Sequence, residues 1–224
     1  MTELDALIAL ADEQRAEQMA QYHKIPRRYL GVTTPQIDDL ARTWRAQRDL
    51  PSRLDLADSL WRSDIHEARI AGAKLLTQAR IRPDEDAWAL IRSWLPDFDS
   101  WAIADSVMSA GQKRLVADPA RLDQVETWLQ SDNMWIRRAA LVGTLPWAKM
   151  NNPKPDDLAR RDRILGWAAS LVDQRDWFIQ KAIAWWLRDL SKRDAPRVTA
   201  FLAEYGARMK PFARREAARL IQDR

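Results

Sequence analysis

Ile136-Arg137-Arg138-Ala139-Ala140 is the stretch from which the fold can be read. It has three echoes along the chain: His66-Glu67-Ala68-Arg69-Ile70, Ile179-Gln180-Lys181-Ala182-Ile183 and Ala213-Arg214-Arg215-Glu216-Ala217. Each follows a short polar stretch and opens an alanine-rich, helix-favouring segment. Aligned on Ala68, Arg138, Lys181 and Arg215, the copies stand 70, 43 and 34 residues apart. A gap of 70 is two periods of about 35, so a further copy is expected near residue 103, where Trp101-Ala102-Ile103-Ala104-Asp105 stands.

Periods of about 35–45 residues, with two helices each, are the signature of a HEAT-like solenoid. One helix pair cannot bury its apolar face alone, so neighbours stack and the array curves. The rest of the chain agrees. Leu4, Leu7, Ile8 and Ala11 form one helical stripe, and Ile37, Leu40, Ala41 and Trp44 form another. Thr34-Pro35 reads as a helix start with Thr34 as the cap, and Pro51, Pro83, Pro155 and Pro211 sit near further starts. No alternating run of β-branched residues suggests a strand. The expectation is an all-α chain of roughly a dozen helices of about 10–18 residues, forming a HEAT-like helical-repeat solenoid with a concave basic face. Residues 1–224 would make a single domain.

Composition narrows the function classes. With no cysteine and only His23 and His66 as histidines, disulfides, thiolate zinc sites, histidine-rich metal sites and a cysteine nucleophile are excluded. No apolar run of about 18 residues could span a membrane, and Met1-Thr2-Glu3-Leu4-Asp5 lacks the start of a signal peptide. The cytoplasm is the expected compartment. There is no glycine-rich phosphate loop and no Ser-His-Asp set. The 36 Lys and Arg outnumber 32 acids, a mild excess whose distribution says more than its sum. Residues 1–22 carry five acids and one base, whereas residues 210–224 carry five bases and two acids. Twelve tryptophans are many for this length, and most are expected in the core.

Equivalent positions of successive repeats line one surface. Here that stripe reads Asp105, Arg138, Lys181 and Arg215, thickened by Arg137, Arg188 and Arg214. Such cations are either solvated helix faces or a track for a phosphate backbone, where each neutralised phosphate releases counterions. Asp105 is the misfit. It either pairs with a neighbouring arginine and holds it, or it stabilises positive charge that develops on a substrate. Trp101 precedes Asp105 by four residues and so shares its helix face, and Trp185 follows Lys181 by four. These indoles are either core or the walls of a cleft for a cationic sugar or base.

Several ordered blocks carry a resemblance to a known family. They are Met19-Ala20-Gln21-Tyr22, Tyr29-Leu30-Gly31-Val32-Thr33-Thr34-Pro35, Trp101 with Asp105-Ser106-Val107, residues 131–140, residues 178–185, and Arg215-Glu216-Ala217. Together they resemble the AlkD family, the HEAT-like-repeat DNA glycosylases of bacterial alkylation repair. The resemblance implies double-stranded DNA with alkylated bases as partner, and excision of N3- and N7-alkylated purines by hydrolysis of the N-glycosidic bond. It places Asp105 on the catalytic carboxylate, Trp101 and Trp185 on two cleft tryptophans, Tyr22 on a third cleft aromatic, and Arg138 on a DNA-contacting arginine. Thr34 and the cations of the stripe are the remaining candidate DNA contacts. Ala102-Ile103-Ala104 stands where relatives often carry another acid, and Ser100 replaces a neighbouring aromatic, so the substrate range could shift.

The same resemblance implies chemistry without base flipping, through contact with the lesion's sugar and backbone. A monomer that needs no metal or organic cofactor is expected. Two other readings remain open at this point: a DNA-binding helical-repeat protein without catalysis, and a protein-interaction solenoid. His23 and His66 are expected to be surface or structural residues.

Overall fold

A computed structural model describes residues 2–221. Its secondary structure is helical; among the described residues the only extended pairing is an isolated bridge between Arg28 and Ile65. The contacts divide the chain into two compact units that meet in sequence at Ala117 and Asp118. The amino-terminal unit runs α1 (Glu3–Ile8), α2 (Glu13–His23), α3 (Thr34–Ala46), α4 (Leu50–Arg62), α5 (His66–Leu75), α6 (Glu85–Ser93) and α7 (Trp101–Ala117). The carboxy-terminal unit runs α8 (Leu122–Thr127), α9 (Met134–Gly143), α10 (Leu145–Lys149), α11 (Pro155–Ser170), α12 (Trp177–Ser191), α13 (Ala195–Tyr205) and α14 (Pro211–Ala218). No helix among the described residues is long and apolar enough to cross a membrane.

The repeat read from sequence reappears as a row of neighbouring helices in each unit. In the first unit α5 packs between α3 and α7; in the second α12 packs between α9 and α14. The five aligned segments all open helices of these rows. Hydrogen bonds between side chains one period apart tie successive repeats. Trp61 Nε1 donates to Asp97, Lys74 to Asp38 and Arg27 to Asp64, at separations of 36, 36 and 37 residues. In the second unit Arg137 donates to Gln174 across 37 residues and Arg197 to Asp162 across 35.

Local chemistry sets the helix ends. Gln36 Oε1 accepts the Thr33 amide at 2.9 Å, and Pro35 sits in the first turn of α3. The cap is therefore Thr33, one residue before the expected Thr34, because the Gln36 side chain reaches back to that amide. Proline also opens α4, α11 and α14 as expected, whereas Pro83 precedes α6 by two residues. The first stripe is cut short. Helix α1 ends at Ile8, and Ala11 lies outside it because Asp12 caps α2 through the Arg15 amide at 2.9 Å. Eight of the twelve tryptophans are buried, including the stacked pair Trp61 and Trp94 with ring centroids 4.5 Å apart.

The α2–α3 connection is pinned from below. Glu67, fully buried in α5, accepts the amides of Leu30 and Gly31 at 3.0 and 2.7 Å. Gly31 has φ +75°, and a Cβ there would stand 2.3 Å from the Asp12 carbonyl oxygen. Gly31→Ala should therefore cost about 2–3 kcal/mol through backbone strain and collision. Thermal unfolding should show a fall in Tm of roughly 5–10 °C.

Candidate functional site

Helices α2, α3, α5 and α7 of the amino-terminal unit line a cleft of about 300 Å³. Trp101 begins α7, and Asp105 follows one helical turn later on the same face. Both line the cleft, with Thr34, His23, His66 and Lys74. The interior flank of α7 explains this orientation. Ala102, Ile103, Ala104 and Val107 are buried, so the helix turns Trp101 and Asp105, each only partly covered, toward the cleft. Tyr22 is 70% exposed and meets Trp101 edge-on, ring centroids 6.3 Å apart at 88°. Four residues placed at the site from sequence, Tyr22, Thr34, Trp101 and Asp105, thus belong to one neighbourhood.

Two further residues stand there that sequence reasoning set aside. His23 lies 5.7 Å from Trp101 and 4.6 Å from His66, ring centroid to centroid. His66 is 1% exposed. Burial, reinforced by the neighbouring His23 and Arg27, pushes its pKa down to about 3. Burial also lowers the pKa of His23. These two imidazoles therefore stay uncharged near neutrality. A lone histidine gives no sequence signal of such a position. The available clue was that His66 begins one of the aligned repeat segments and His23 ends the helix that carries Tyr22.

The carboxy-terminal unit holds the remaining candidates. Trp185 is partly covered on α12 and donates its indole N–H to Asp189 at 2.9 Å. The Lys149 ammonium stands 5.7 Å from its ring centroid, a cation–π distance. Lys181, one turn earlier, sits 5.7 Å from the ring of Trp177. Trp177 is half exposed and stacks on Phe212 at 5.6 Å. Trp177 and Trp135, like Trp101 and Trp185, stay out of the core, but neither was singled out by the repeat alignment.

The expected basic stripe is not uniform. Arg214 and Arg215 are exposed on α14. Arg188 instead pairs with Glu216 and lies 3.7 Å from Asp189. Arg137 donates to Gln174, to the Ser131 carbonyl and to the Asp132 carbonyl. Arg138 is only 4% exposed, and its guanidinium donates to the Phe178 carbonyl at 2.8 Å. Repeat position aligned these cations without distinguishing one that is buried against a neighbouring helix from one that faces solvent. Among the described residues no group of three or more His, Asp and Glu could hold a metal ion.

A profile of the family described as DNA alkylation repair enzyme matches residues 4–221. No protein of curated function matches the sequence. Among solved structures, a predicted DNA alkylation repair enzyme from Enterococcus faecalis is similar, with a TM-score of 0.78 at 19% identity, covering 93% of this chain and 95% of that one. AlkD2 from Streptococcus mutans is similar with a TM-score of 0.64 at 18% identity, covering 92% and 97%. These likenesses support the helical-repeat fold.

Two measurements follow from these placements. Arg138→Ala should lower stability by about 1–3 kcal/mol, because it removes a buried guanidinium with its packing and its hydrogen bond to Phe178, whereas Arg214→Ala should leave it within about 0.5 kcal/mol; urea titration compares them. For His66 the depressed pKa means that the unfolded chain takes up a proton near pH 6.5 that the folded chain refuses until about 3. Its contribution is complete above 6.5 and is lost as pH falls. Between pH 7 and 5 this one group should remove about 2 kcal/mol of stability, and His66→Gln should remove that part of the slope.

Proposed function

Because the chain belongs to the DNA alkylation repair enzyme family, we propose that it is a DNA glycosylase that excises cationic N3- and N7-alkylated purines from double-stranded DNA. The observation that carries this reading is the pairing of Trp101 and Asp105 along one turn of α7, both on one cleft, with Tyr22 edge-on to the indole. The profile's span across both units supports reading residues 1–224 as one DNA alkylation repair domain, and we propose that it acts as a monomer in the cytoplasm.

Alkylation at N7 or N3 leaves the purine cationic, so it departs without protonation. As the C1′–N bond breaks, its electron pair neutralises the purine and positive charge grows on the deoxyribose, as in glycoside hydrolysis. A carboxylate at the site of Asp105 stabilises that charge electrostatically. The π face of Trp101 attracts it as well, and the resemblance assigns Trp185 the same part. Water then adds at C1′ and leaves an abasic site. Recognition through the sugar and backbone needs no extrusion of the base and tolerates large adducts. The exposed Arg214 and Arg215 and the partly exposed Lys181 suit phosphate contacts.

Release of 7-methylguanine from a methylated duplex under single-turnover conditions tests the assignment. Asp105→Asn should lose at least about 100-fold in rate while still binding the duplex; an unchanged rate would overturn the catalytic role. Arg215→Ala should leave the turnover step intact and reduce the salt slope of duplex binding by roughly one phosphate's worth.

A further inference from the structure

The cleft of the amino-terminal unit contains two polar side chains that the mechanism above leaves idle. His66 is almost fully buried, His23 is partly covered, and both line the cleft with Asp105. Nδ1 of each ring is buried without a hydrogen-bond partner. Buried nitrogens of this kind are nearly always satisfied by protein, ligand or ordered water, so such a pair in a functional cleft asks for an occupant.

The groups around the pair have other commitments. Arg27 is bound to Asp64 and Asp99, Lys74 to Asp38, and Glu67 to the Leu30 and Gly31 amides. The Tyr29 hydroxyl donates to the Ile25 carbonyl. The Tyr22 and Trp101 rings flanking His23 offer π faces. What remains for the imidazoles is whatever enters the cleft beside Asp105.

We propose that His23 and His66 are positioning residues whose ring nitrogens hold the water that attacks C1′ of the lesion deoxyribose. This rests on the glycosylase reading. The water oxygen bonds to C1′ while the electron pair of the breaking C1′–N bond leaves with the alkylpurine, which departs neutral. The surplus proton of the water passes to the Asp105 carboxylate and then to solvent. The imidazoles exchange hydrogen bonds and no net proton. Their neutrality matters twice. A protonated ring would lose its acceptor nitrogen, and it would set a positive charge against both the cationic purine and the growing charge on the sugar. Burial lowers the pKa of both rings, so the rate should hold at neutral pH and fall only below the ordinary histidine range, as His23 takes up a proton.

The test combines kinetics with spectroscopy on the full chain. His23→Phe and His66→Phe should lower single-turnover release of 7-methylguanine about 10- to 100-fold with little change in duplex affinity. His23→Gln and His66→Gln should restore part of it. Profiles over roughly pH 5 to 8 should show an acid-side fall in the wild type that His23→Gln shifts or abolishes. Because a His66 variant could fail to fold, the wild type is also read directly. Imidazole ¹⁵N resonances should shift on adding a duplex that carries a pyrrolidine abasic analogue and stay put with an unmodified duplex. A His23→Phe protein with the wild-type rate and pH profile, or resonances that ignore the analogue, would overturn the proposal while leaving the glycosylase reading intact. A wild-type protein that releases no 7-methylguanine would overturn both.

Discussion

The buried carboxylate of Glu67 is the constraint on which the amino-terminal unit depends. It takes two consecutive amides, those of Leu30 and Gly31, where the chain leaves α2 and turns into α3. A carboxyl group without such donors could not stay fully buried, and two amides without an acceptor could not stay there either. Each therefore fixes the other. The turn that results carries Gly31 past the start of α2 at a distance only glycine allows. It also sets α2, with Tyr22 and His23, beside α5 and α7. The cleft exists because one side chain from the next repeat fastens a loop of the previous one.

A related economy holds two of the buried cations. Arg114 and Arg161 are among the largest fully buried side chains. Arg161 gives its guanidinium to the carbonyls of Trp147 and Met150 at the end of α10, and Arg114 gives its own to carbonyls just after α5. Helix carboxy-termini leave carbonyls unsatisfied and carry partial negative charge. A buried arginine that reaches such carbonyls supplies the donors they lack. Arg138 differs: it is buried as well, but its bond goes to the Phe178 carbonyl in the first turn of α12.

How much of this was legible differs between fold and site. The helix rows follow from composition and period, since alanine-rich segments at one spacing can bury their faces only on each other. Trp101 and Asp105 were legible because a spacing of four puts them on one helical face. Thr33 was missed as a cap by one residue, because the decisive hydrogen bond comes from Gln36, three residues on. The histidines' place on the cleft was hidden for a different reason. The neutrality of His66 comes from what surrounds it in space, and neither residue sits in a chemical motif. Trp177 and Trp135 escaped because an exposed indole and a core indole look alike in a sequence rich in both. The cations divided by partner, Gln174 for Arg137 and Glu216 for Arg188, and those partners lie about one repeat away.

That last point reaches beyond this one molecule's contacts. When an acid in one repeat holds a base or an indole in the next, as Asp97 holds Trp61 and Asp162 holds Arg197, neither position can drift freely. A chain that changes one partner is under pressure to change the other, a fixed distance along the sequence. The fold thereby imposes a rhythm on its own inheritance: substitutions at repeat junctions should travel in couples spaced one period apart, while solvent-facing positions between them vary singly.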